Sequence, residues 1–226
     1  MSALWMLALI LLQNPAGATD TLTYKVHHEH AIGGCEGTLT FWAEGVRYET
    51  MENNHSRNWA YADVKYFEIV SEGKIEIHTY ESYGVSRLGR DRDFDFRLLG
   101  GELGDDLYQL LVRKSPRAVV THVVFPSTEV VQEIPVRHRH RLGGCQGTLT
   151  IATDKIIYRA DRNEDSRIWR LEDIQSFASS DPFSLRLSSA FETFTFDLKV
   201  PLEQRSHDLL WKAVYAPGIQ TYRPPQ

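Results

Sequence analysis

One stretch of this chain is written twice. Residues 26–67 and 136–177 align at a constant offset of 110 residues without a gap. Val26, His28, His30, Gly33, Gly34, Cys35, Gly37, Thr38, Leu39, Thr40, Tyr48, Asn53, Ser56, Arg57, Trp59, Asp63 and Phe67 all recur, 17 identities in 42 positions. Self-similarity on this scale restricts the fold more than composition does, because whatever one copy builds, the other must build from the same pattern. Beyond the block the offset falls to 100, where Phe94-Asp95-Phe96 matches Phe194-Thr195-Phe196. The first copy therefore carries an insertion, placed around Glu81 to Arg90. Two copies are too few for a stacked solenoid, so each is expected to be a domain in its own right. The implied divisions are a first module at 19–114, a connector at 115–133, a second module at 134–216 and a tail at 217–226. The connector region holds prolines but also Val119-Val120 and Val123-Val124-Phe125. Such apolar runs suit an extended, docked segment better than a solvated tether.

The second copy shows the internal pattern most clearly. Pro135 to His140 alternates as a strand does, Thr148 to Ala152 follows, and Asp154-Lys155 turns the chain into Ile156 to Arg159. Arg167 to Leu171, Ile174 to Ala178, Phe183 to Leu187 and Phe191 to Leu198 continue as short strands, with Phe194 and Phe196 on one face. After Pro201 the period becomes helical, through Leu202, Leu209, Leu210 and Val214. Proline suits the first turn of a helix and Glu203 suits its positive end. The first copy matches, with a shorter helix expected from Leu103 to Arg113.

The Gly-Thr-Leu-Thr strand leading to a Tyr, the Trp169-x-x-x-Asp173-Ile174 segment, the Phe-x-Phe strand and the closing helix together resemble the pleckstrin-homology-like superfold, nearest to its GRAM and bacterial PH-like branches. The resemblance covers nearly all of both copies and lies in strand order and pattern. It implies a mainly β chain of two tandem PH-like barrel or sandwich modules, each of about seven short strands with a C-terminal amphipathic helix over the open end. That superfold hosts lipid binders, peptide binders and scaffolds, so it does not by itself assign a function. Phosphoinositide-binding members concentrate Lys and Arg in the first hairpin loop. Here the corresponding loops are Ala43-Glu44-Gly45 and Thr153-Asp154-Lys155, so no phosphoinositide pocket is expected.

The chain ahead of the first copy has a different character. Ala3 to Leu12 is an apolar run, too short for a membrane span, broken by Gln13-Asn14-Pro15 and followed by the small residues Ala16-Gly17-Ala18. This is the layout of a secretion signal cleaved after Ala18, though without a Lys or Arg before the run. A secreted or periplasmic bacterial protein is expected. With 25 basic against 30 acidic residues, net charge −5, and no dominant basic block, nucleic acid is not an expected partner.

Several groups of residues have possible chemistry. His28, His30 and Cys35 recur as His138, His140 and Cys145. Residues two apart on a strand share a face, the glycine pair can fold Cys back toward them, and imidazole and thiolate are good zinc or copper ligands. No fourth ligand stands out. The plainer alternative is packing histidines and a small buried thiol in a tight bend. The cysteines could also form a disulfide in an oxidising compartment, or remain two buried thiols. Trp59 and Trp169 are expected to fill the cores, with Arg57 and Arg167 paired to nearby carboxylates such as Asp63 and Asp173. Arg137, Arg139 and Arg141 share one side of a strand and could meet an anionic membrane or polymer, at most peripherally. The insertion offers Tyr80, Tyr83, Arg87 and Arg90, residue types common at recognition surfaces.

No nucleophile elbow, P-loop, dinucleotide fingerprint or zinc-protease helix is present. The expected function is therefore an exported, non-enzymatic binding or scaffold protein with a protein or peptide partner and no cofactor. The alternative is a metal-binding protein, or metal-dependent enzyme, using the repeated His-x-His and Cys groups.

Overall fold

The computed structural model describes residues 21–30, 33–52, 54–82, 90–125, 129–162 and 165–221. The proposed leader at 1–18 and the insertion residues Tyr83 and Arg87 lie outside the described residues. The first unit runs β1 (Leu22–Glu29), β2 (Gly34–Trp42), β3 (Gly45–Thr50), β4 (Arg57–Ala60), β5 (Val64–Ser71), β6 (Lys74–Ser82), β7 (Asp91–Leu98) and α1 (Asp105–Lys114). After β8 (Val119–Thr121), the second runs β9 (Val130–Arg139), β10 (Gly144–Ala152), β11 (Lys155–Ala160), β12 (Arg167–Arg170), β13 (Ser176–Ala178), β14 (Ser184–Ser188), β15 (Thr193–Leu198) and α2 (Gln204–Thr221).

The two sheets have the strand orders β4-β3-β2-β1-β7-β6-β5-β8 and β12-β11-β10-β9-β15-β14-β13. With β8 set aside, the orders are the same, and each unit ends in a helix. The sequence repeat is thus also a repeat of topology. Alternation carries the cores. In β9, Ile134, Val136 and His138 point inward while Glu133, Pro135, Arg137 and Arg139 point out. Tyr48 and Phe96 are fully buried in the first unit, as are Tyr158 and Phe196 at the matching places in the second. Leu107, Leu110 and Leu111 of α1 and Leu210 of α2 supply the helical side of each core.

Three sequence expectations change. The connector is not a separate segment, because β8 joins the first sheet in parallel with β5, with Phe67 opposite Val119, and β9 already begins at Val130. The last helix extends into the range read as a tail, ending at Thr221. The arginines after the repeated serines also pair differently. Arg57 approaches Glu81 at 3.6 Å and Arg167 pairs with Glu192 at 3.1 Å. Asp63 instead accepts the Ala60 N–H at 3.2 Å, and Asp173 accepts from Arg170 at 2.6 Å. The cause is strand alternation. Residues two apart share a face, so each Arg points inward with its Trp, over Phe94 or Phe194, while the Asp sits in the 3₁₀ turn beyond the strand end. Trp59 and Trp169 do fill the cores.

The two units share packing. Ile157 and Ile168 of the second belong to the hydrophobic core of the first, and the rings of Tyr66 and Phe191 lie 4.5 Å apart. A polar chain crosses the same region. Asp93 bonds His78 Nδ1 at 2.9 Å, Glu68 reaches His78 at 3.4 Å and His122 at 2.7 Å, and Arg167 contacts His122 Nδ1 at 3.0 Å. At the far edge of the second sheet, the Tyr215 hydroxyl donates to the Phe177 carbonyl at 2.8 Å and accepts the Phe177 N–H at 3.2 Å.

Because Ile168 is 3% exposed and sits in the other unit's core, Ile168→Ala should cost about 2–5 kcal/mol. It should destabilise both units together, read as one shifted transition in denaturant melts followed by fluorescence and by circular dichroism. Two separated transitions in the wild type would show that the units unfold independently. Hydrogen bonds from His122 and His78 hold the Glu68 carboxyl well below the usual carboxylate range. A depressed carboxyl contributes stability that is present above its unfolded value of about 4.3 and is lost as pH falls below it. Glu68→Gln should therefore lower stability at pH 6 and flatten its decline below pH 4.3, measured by urea melts across pH.

Candidate metal centre

The β1–β2 hairpin brings three donors together by register. His28 lies directly opposite Cys35 across the ladder, as His138 lies opposite Cys145. His30 and His140 follow two residues on, past the strand end, where the His30 N–H donates to the Gly33 carbonyl at 3.1 Å and the His140 N–H to Gly143 at 3.3 Å. Both turns need a left-handed residue, and Gly33 and Gly143 supply it with φ of 73° and 85°. The next glycine is needed for a different reason. A Cβ at Gly34 would stand 2.6 Å from the His28 carbonyl oxygen, and one at Gly144 2.3 Å from that of His138. The repeated Gly-Gly-Cys thus lets β2 and β10 start hard against their partner strands.

The donor atoms converge. In the first unit His30 Nε2 lies 3.0 Å from His28 Nδ1 and 3.3 Å from Cys35 Sγ, with 3.8 Å between Sγ and His28 Nδ1. In the second, Cys145 Sγ lies 3.1 Å from His140 Nε2 and 3.8 Å from His138 Nδ1. The same nitrogens face inward in both. Ligands at about 2.0–2.1 Å (imidazole) and about 2.3 Å (thiolate) around a tetrahedral zinc ion stand about 3.3–3.6 Å apart. The separations in the two sets, 3.0–3.8 Å, straddle that span. A tyrosine hydroxyl backs each sulfur, Tyr48 at 3.1 Å and Tyr158 at 3.0 Å.

The surroundings favour neutral imidazole. His28 stacks on Phe94 and Phe96, and His138 on Phe194. Burial, reinforced by the neighbouring histidine, lowers both His28 and His138 to about 4. Each imidazole is therefore neutral at neutral pH, with one ring nitrogen free of a proton. Burial pushes the Cys145 thiol up, so this sulfur is a thiol until something replaces its proton. Cys35 is buried and Cys145 half-buried, and neither is bridged. A disulfide between them, left open by the sequence, is not formed.

Both sets contain a neighbour that the sequence did not single out. The His55 ring centroid lies 4.6 Å from that of His30, and its Nδ1 is buried without a hydrogen-bond partner. Asp165 brings Oδ2 to 4.0 Å from His140 Nε2. The two residues occupy the same place in the repeat, offset by 110. Identity matching passes over them, because one copy has His and the other Asp. A search for donors of any kind at aligned positions finds them. A third group, Glu68, Glu76 and His78, also lies close. It is tied up as an ion-pair network, with His122 on Glu68 and Lys74 on Glu76 at 2.5 Å.

The other candidates do not form a site of this kind. Tyr80 lies beneath the Arg117 guanidinium at 5.0 Å and near Lys65. Arg90 is exposed just ahead of β7, and Tyr83 and Arg87 are outside the described residues. Arg137, Arg139 and Arg141 are exposed as expected, and Arg139 is bonded to Asp197 across to β15.

No family model matches this chain, and no curated protein matches it. Among solved structures it is similar to the N-terminal PH domain of human ARAP2, at 14% identity, covering 46% of this chain and 94% of that one, TM-score 0.32. It is also similar to the linker-DH/PH domains of p115-RhoGEF, at 13% identity, 43% and 30% coverage, TM-score 0.26. A third neighbour is the Spt16D Pob3N heterodimer, at 7% identity, 75% and 83% coverage, TM-score 0.29. At these identities and scores the neighbours say nothing of what this chain binds.

Proposed function

We propose that this is an exported transition-metal-binding protein, a binder or carrier rather than a catalyst, in which each repeat holds one zinc- or copper-class ion. One observation carries the reading: the same His, His and Cys donors converge twice, through the same atoms, at spacings that fit a metal ion. Packing alone does not require the same three donor atoms to meet in both repeats. The seven-strand order closed by a helix supports a PH-like reading of each unit. Such a scaffold hosts many functions, so the site and not the fold assigns this one. A role in peptide recognition has weaker support, since it rests on an insertion whose Tyr83 and Arg87 are outside the described residues.

Chain purified without a polyhistidine tag and stripped of metal should take up two equivalents of Zn(II) or Co(II). Cobalt should produce thiolate-to-metal charge-transfer absorption. His138→Ala and Cys145→Ser should each reduce the stoichiometry to one. Zinc at 1,000 times its Kd should stabilise each site's fold by about 4 kcal/mol, seen as a rise in Tm. It should also shield Cys145 from alkylation. A wild-type protein that binds neither ion, with no charge-transfer band, would leave the histidines and cysteines as packing residues.

A further inference from the structure

The repeat position occupied by His55 and Asp165 carries a metal-ligating residue type in both units, imidazole in one and carboxylate in the other, each beside the second histidine of its set. His55 follows β3 and Asp165 precedes β12, and each lies beside the second histidine of its donor set. In the first unit the turn delivers an imidazole whose Nδ1 is buried and unpartnered, against the His30 ring. In the second it delivers a carboxylate beside His140 Nε2. Nothing in strand packing requires a metal-ligating side chain at both turns. A buried imidazole nitrogen without a partner is costly.

We propose that His55 and Asp165 are the fourth ligands, so that the chain carries two inequivalent centres, His₃Cys in the first unit and His₂CysAsp in the second. This rests on the metal-binding reading above and deepens it. Four protein donors make a closed tetrahedral centre of the structural kind, without an open position for substrate. The centres differ in exposure as well as in ligands. Cys35 is 4% exposed, whereas His140 and Asp165 are 34% and 33% exposed. The first centre is the more enclosed, with Cys35 buried and His30 and His55 half-buried, and is all nitrogen and sulfur, suited to longer retention of the ion. The second has an oxygen donor at the solvent edge and is the one from which the ion exchanges.

The test isolates each centre in the full chain, using Cys145→Ser to silence the second and Cys35→Ser to silence the first. Co(II) spectra and zinc affinity by chelator competition are then measured. Altering groups that merely orient a ligand lowers metal affinity by about 10–100-fold, so His55→Ala and Asp165→Ala should each cost at least about 100-fold and change the cobalt d–d bands of its own centre. The decisive variants exchange the units' residues. His55→Asp and Asp165→His should restore most of the affinity lost in the alanine variants, because each is already a ligand at that position in the other repeat. Zinc should leave the second centre faster than the first when chelator is added to the wild type. Alanine variants that stay folded by circular dichroism with unchanged affinity and cobalt spectrum would overturn the assignment while leaving the three-donor sites standing. Absence of any cobalt–thiolate band in the wild type would overturn the metal reading itself. Should an alanine variant unfold, the exchange variants decide alone: a retained four-coordinate cobalt spectrum supports the ligand role, and its loss refutes it.

Discussion

The pairing register of one hairpin sets the rest. With β1 against β2 placed so that His28 faces Cys35, His30 falls past the strand end, the backbone turns at Gly33, and the inward face carries Val26 and His28 onto Phe96. A slip of one residue would send every one of those side chains to the other face. The hairpin β9–β10 is set in the same way, with His138 opposite Cys145. Gly34 and Gly144 guard the register by sterics, since any side chain there would collide with the facing carbonyl. The placement of His28 opposite Cys35, and of His138 opposite Cys145, is therefore a by-product of correct strand pairing.

Around that hairpin the aromatic core acts as the wall of the site. His28 and His138 lie among Tyr and Phe rings and not in water. The same burial that stabilises each sheet keeps these imidazoles uncharged. Folding energy and ligand readiness thus have one source. The interface between the units works on a different principle, with two isoleucines of one unit completing the core of the other and a chain of hydrogen-bonded acids, imidazoles and an arginine alongside. Its acids and bases come from β5, β6, β7, the segment after β8, and β12. Neither unit contains it alone.

Much of this was legible in the sequence because it depends on short-range pattern. Alternation gave the strands of the second copy, the change of period after Pro201 gave its helix, and the two-residue spacing put His138 and His140 on one side. The partners of Arg57 and Arg167 were not legible. Glu81 and Glu192 sit in or beside other strands, and only the folded sheet brings them across. The nearer Asp63 and Asp173 looked plausible in sequence but lie beyond the strand ends. His55 and Asp165 were missed because they differ, and the eye looks for what a repeat keeps. The role of Val119 to Thr121 was half legible: its apolar character foretold docking but not a parallel strand.

The two copies also finish their sheets differently. The first is extended by β8 alongside β5, and the second has the Tyr215 hydroxyl held between the N–H and C=O of Phe177 on β13. An outer strand with free backbone groups invites the matching strand of another molecule. A duplicated module is especially exposed to this, because it presents the same template twice and could grow into a fibre by head-to-tail pairing. In this chain the linker strand covers β5, and a single side chain occupies the backbone groups of Phe177 on β13. The phenolic oxygen of Tyr215 thus takes up both backbone groups of Phe177 that a strand from another molecule would need there, from the helix that the fold already required.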